Sequence, residues 1–140
     1  MIKESNWEEC IENDSSMPIS PDKEKAKSLR DTAQDRIKYL NESKIKESNV
    51  NFMFEGYYSS ILELLHALII LRGYKVTNHI CLGYYLRDVL QIEEIFRIFD
   101  DCRFKRNSLV YYGRKMDFAT GKDTLELCVK IINAIDKLLK

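Results

Sequence analysis

Apolar residues recur along most of the chain at intervals of three and four, the period of a helix with one buried face. From Ser20-Pro21-Asp22, a helix-start signature with Ser20 as N-cap and Pro21 in the first position, Ala26, Leu29, Ala33, Ile37 and Leu40 keep that spacing to about Ser43. A second segment opens at Ser48 or Asn49 and is apolar nearly all round, from Phe52 through Tyr57, Ile61, Leu65 and Leu68 to Leu71. A helix with that surface belongs at the centre of a bundle or in a subunit interface, and Gly73 is placed to end it. Asn78 caps a shorter helix through Leu90, followed by helices over about 92–116 and 119–139. Nowhere is alternation with period two sustained, so no sheet is expected. The fold class is all-α: an up-and-down bundle of about five helices over 20–140. Residues 1–19 carry a further short helix, opened by a Ser5–Glu8 capping box, that docks on the body.

Composition narrows this reading. In 140 residues there are only 5 Gly and 2 Pro, which disfavours a turn-rich β fold. Lys and Arg total 22 against 22 Asp and Glu, which excludes a protein that coats nucleic acid by bulk charge but leaves room for a local basic patch. The apolar run Tyr57–Leu71 carries Glu63 and His66 and is short for a bilayer, so a core helix rather than a membrane span is expected. Cys10, Cys81, Cys102 and Cys128 form no C-x-x-C pair, and His66 and His79 are the only imidazoles. No metal site or cofactor is expected. With no secretory signal at the start, the cysteines read as reduced, buried thiols of a cytoplasmic protein.

The segment over 92–116 carries the candidate chemistry. At about 100° per residue, Ile95, Phe99, Cys102, Leu109 and Gly113 form one stripe, and Arg106 falls in the middle of it. A guanidinium on a core-facing stripe is costly unless it is paired, with Glu55 or Glu63 for example, or faces a cleft. Asp100, Arg103, Asn107 and Tyr111 line a polar stripe beside it, in which Asp100 and Arg103 can pair. Residues 103–115 hold Arg103, Lys105, Arg106, Arg114 and Lys115 and no acid, interleaved with Phe104, Tyr111 and Tyr112. Cations among aromatics suit phosphates and stacked bases. Ser60 and Ser108 lack a His–acid context, and no glycine loop has phosphate-binding spacing.

Arg106-Asn107-Ser108-Leu109-Val110-Tyr111-Tyr112-Gly113 late in that helix, the phrase Glu55-Gly56-Tyr57-Tyr58-Ser59-Ser60-Ile61-Leu62-Glu63, and the helix order resemble the HEPN superfamily of small prokaryotic helical bundles. The resemblance implies a homodimer with motif helices facing across a cleft, a role in toxin–antitoxin or defence systems, and a minimal nucleotidyltransferase as partner. It also implies an RNA- or nucleotide-binding site at Arg103, Arg106, Asn107, Tyr111 and Tyr112. In nuclease members an Arg stabilises the scissile phosphate and a His four to six residues later moves the proton. Here Arg106 and Asn107 match, but Val110, Tyr111 and Tyr112 occupy those offsets and no His follows. A phenol titrating near about 10 is a poor base at neutral pH. The expectation is therefore a homodimeric binding module lacking the usual catalytic His. The alternatives are a metal-independent endoribonuclease using Arg106 and Tyr111, with or without His66, and a purely structural interaction protein. His79 is expected to be exposed and idle.

Overall fold

The computed structural model describes residues 4–140 and is an all-α bundle. Its elements are α1 (Trp7–Glu12), β1 (Ser16–Pro18), α2 (Lys23–Glu42), α3 (Val50–Leu71), β2 (Tyr74–Val76), α4 (His79–Tyr84), a π-helical turn (Tyr85–Val89), α5 (Glu93–Tyr112) and α6 (Phe118–Leu139). Helix starts follow local chemistry, with two shifts from expectation. The cap of α1 is Asn6, whose side chain accepts from the Glu9 amide, rather than Ser5. Asp22, not Ser20, caps α2 by accepting from the Lys25 amide at 3.0 Å. An aspartate holds that bond with a full charge against the helix dipole, which favours it over a nearby serine.

α3 is the centre, with Phe54, Ile61, Leu64, Leu65 and Ala67 wholly buried between α2 on one side and α4, α5 and α6 on the other. By length and composition α3 is apolar enough to cross a membrane, but 61% of its most apolar stretch is buried inside the bundle. Gly73, at φ +90°, turns the chain out of α3, its amide donating to the Ile70 carbonyl. β2 then pairs antiparallel with β1, Met17 opposite Lys75. This two-stranded ribbon corrects the expectation of no sheet. Its strands are only 3 residues each, too short for a period-two signal to register, and are separated in sequence by α2 and α3.

A second correction concerns the thiols. Cys10 and Cys81 form a disulfide with their Cα atoms 6.1 Å apart, joining α1 to α4. The Trp7 amide donates to Asp88 at 2.8 Å, and Glu4 bridges Arg87 and Arg97. Segment 4–18 is thus stapled across α4 and the π-helical turn, as docking on the body requires. Cys102 and Cys128 remain free and buried, as expected of apolar fillers. Hydrogen bonding with Cys102, and then burial, hold the Cys128 thiol well above its ordinary value.

Candidate nucleic-acid interface

The stripe on α5 is buried only in its first half. Ile95, Phe96, Phe99 and Cys102 enter the core, whereas Arg106 and Leu109 are half-buried and the last turn stands in solvent. Gly113, at φ +65°, closes the helix, its amide donating to the Leu109 carbonyl at 3.1 Å. The following loop is tied to α3 by Asn51: its side-chain amide donates to the Met116 carbonyl at 3.1 Å and accepts from the Met116 amide at 2.9 Å. α5 therefore presents its C-terminal half on a fixed base.

Arg106, which the spacing places in the middle of the core-facing stripe, lies at the edge of the core because burial of the stripe ends at Cys102. Its Cζ is 5.9 Å from the centre of the Tyr58 ring and 5.8 Å from that of Tyr111. Among the described residues no carboxylate pairs with it. Glu63 is taken by Arg36, which also donates to Ser60, and Glu55 forms no ion pair. Ser60 is buried and donates to the Gly56 carbonyl, so it serves the helix rather than catalysis. Arg103 pairs with Asp100 at 2.9 Å, as the i, i+3 spacing requires. Lys105 turns toward α6 instead, meeting Asp101 at 2.9 Å and the Thr124 hydroxyl at 3.1 Å.

Beyond Arg106 the helix carries aromatics in solvent: Phe104, Tyr111 and Tyr112 are 69%, 68% and 73% exposed. Arg103, Phe104, Asn107, Ser108, Tyr112 and Arg114 line an open groove of about 620 Å³, with Arg114 over the Tyr112 ring at 5.6 Å. Asn107 makes no hydrogen bond to Tyr111 and instead belongs to this groove. A concavity of about 400 Å³ between α2 and the ends of α3 and α6 also holds cations, but Lys27 is paired with Asp31 and Arg30 donates to the Leu139 carbonyl.

The structure adds a residue to this neighbourhood. His79, at the start of α4, is half-buried, with its ring centre 6.2 Å from that of Tyr58. Burial and the nearby guanidiniums of Arg106 and Arg103 push its proton affinity down. This corrects the expectation that His79 is exposed: β2 and the Asn78 cap bring its ring to the same Tyr58 that Arg106 approaches. His66, one helix away, is lowered by burial and then by His79 and Lys25. Among the described residues the buried Tyr58 hydroxyl has no hydrogen-bond partner, and burial raises its pKa despite Arg106 and Arg103. Among the described residues no group of three or more His, Cys, Asp or Glu could hold a metal. Comparisons with family models, curated proteins and solved structures give no match, so the site is read from its own geometry.

Proposed function

We propose that this chain is a nucleotide- or RNA-binding helical module of HEPN type, acting through the C-terminal half of α5. The observation that carries the reading is Arg106: a half-buried guanidinium with no carboxylate, held between two tyrosine rings at the rim of a basic, aromatic groove. A planar guanidinium free on one side is suited to a phosphate, and neighbouring rings are suited to bases. Arg103 and Arg114 extend the positive surface, while Asn107, Tyr111 and Tyr112 supply hydrogen bonds and stacking faces. The module acts as a homodimer, in which Phe104 and Val110, both exposed on α5, are covered by a second copy. The HEPN resemblance adds the setting, a toxin–antitoxin or defence system with a minimal nucleotidyltransferase as partner.

The test is fluorescence anisotropy of labelled RNA against the wild-type chain and Arg106→Ala, in EDTA. Arg106→Ala is expected to weaken binding by about 1.5–3 kcal/mol, the scale of a charge-assisted hydrogen bond. Equal binding by both proteins, or none by either, defeats the reading. The same mixtures analysed for fragments separate binding from cleavage. Tyr111 stands in solvent, so intact RNA is expected, and cleavage lost in Arg106→Ala would establish the endoribonuclease instead.

A further inference from the structure

Side chains from α3, α4 and α5 converge on the Tyr58 ring. Arg106 approaches it at 5.9 Å, His79 at 6.2 Å, and Phe99 stacks on it at 6.0 Å. Arg103 acts on both Tyr58 and His79, and Asp100 on Tyr58. Lys25 of α2 adds further positive charge to this region, and burial, His79 and Lys25 lower the proton affinity of His66 of α3. Asp100 is the one carboxylate among these groups, and Arg103 already engages it. The cluster therefore joins an unpaired guanidinium, an imidazole and a buried hydroxyl with no acceptor, Tyr58 being 1% exposed. Each lacks the same thing: negative charge carried on acceptor oxygens.

We propose that Arg106, with Arg103 and His79 beside it, seats a terminal phosphate, the monoester end of a nucleotide or oligoribonucleotide, and takes up a proton as it does so. This rests on the RNA- or nucleotide-binding reading and specifies its ligand. An internal phosphodiester carries one charge, which Arg106 alone balances. A monoester carries close to two at neutral pH, leaving oxygens and charge for a second cation. In the free chain, burial and two guanidiniums oppose protonation of His79. A dianion between them reverses the electrostatic part, so the imidazole gains a proton on binding. Linkage then makes affinity rise as pH falls toward about 6.5, the ordinary imidazole value. Below about pH 6 the monoester takes up a proton itself and the gain ends.

The experiment compares an RNA pentamer bearing a 5′-phosphate with the same pentamer bearing a 5′-hydroxyl, by anisotropy at about pH 6.5 and about pH 8. The phosphorylated pentamer is expected to bind roughly tenfold more tightly at the lower pH, with the preference shrinking several-fold at the higher. His79→Gln, checked for folding by its thermal melt, is expected to weaken binding of the phosphorylated pentamer several-fold and to abolish the pH dependence of the preference. AMP competes for the site and adenosine does not. Equal affinity for the two pentamers overturns this proposal while leaving RNA binding intact, and so does a preference indifferent to pH. Failure of both pentamers to bind overturns the underlying reading as well.

Discussion

Arg106→Met separates a functional arginine from a structural one. The change removes the charge and keeps a long side chain over the Tyr58 ring. What it forfeits can be worked from the geometry. Its two ring contacts, at 5.9 and 5.8 Å, lie near the outer limit of cation–π attraction. For a half-exposed group each is worth about 0.5 kcal/mol. A thioether over an aromatic returns about 0.3–1 kcal/mol. The sum lies within about 1 kcal/mol of zero, whereas breaking a buried ion pair costs about 3–5 kcal/mol. At about 3 °C per kcal/mol for a chain of 140 residues, the melting temperature should move by no more than about 3 °C. Thermal denaturation followed by circular dichroism measures this directly. A drop of about 10 °C or more would mean that Arg106 holds the fold together. The argument for a phosphate at this position would then fail.

Three further outcomes follow from the packing. Reducing Cys10–Cys81 releases a constraint across a sequence separation of 71 and should cost about 4 kcal/mol, read as a lower melting temperature in dithiothreitol; an unchanged melt would show that the Glu4–Arg87–Arg97 contacts hold the segment alone. Gly121→Ala places a Cβ 2.6 Å from Val50 Cγ2, so α6 is forced off α3. Urea unfolding should show a loss of about 1–3 kcal/mol despite alanine's better helix propensity, partly restored by adding Val50→Ala. His66 and His79 both have lowered proton affinity in the folded chain, so the unfolded chain binds protons more readily. Stability should be level above about pH 7 and fall as pH drops through about 6.5. The double variant His66→Gln/His79→Gln should flatten that fall, and an unaltered slope would contradict it.

What could be read from the sequence is what neighbouring residues decide among themselves. The apolar circumference of α3, the glycine that ends it, the Asn78 cap and the Asp100–Arg103 pair all depend on contacts within a turn or two of helix, whereas the expected run of α5 to about 116 was too long: it ends at Tyr112, with Gly113 in the left-handed region. Helical periodicity likewise placed Arg106 on the same stripe as Phe99 and Cys102, because angular position on a helix is fixed by residue number alone; that the stripe leaves the core at Arg106 came from the packing. The Ser20 and Ser5 caps went astray by one or two positions, where several polar side chains compete for the same free amides.

Tertiary structure decided everything that required the chain to return on itself. The Cys10–Cys81 bond joins positions 71 apart, and β1 pairs with β2 across the intervening α2 and α3. Glu63 was an equally good partner for Arg106 by composition, but the packing of α2 on α3 gives it to Arg36. Lys105 leaves the basic surface because α6 offers it Thr124. The placement of His79 beside Arg106 depends on the exit from α3, the ribbon and the start of α4 taken together. No local pattern encodes that proximity, since side-chain preferences act over a few residues while the meeting of α3, α4 and α5 is set by how their buried faces fill a common core.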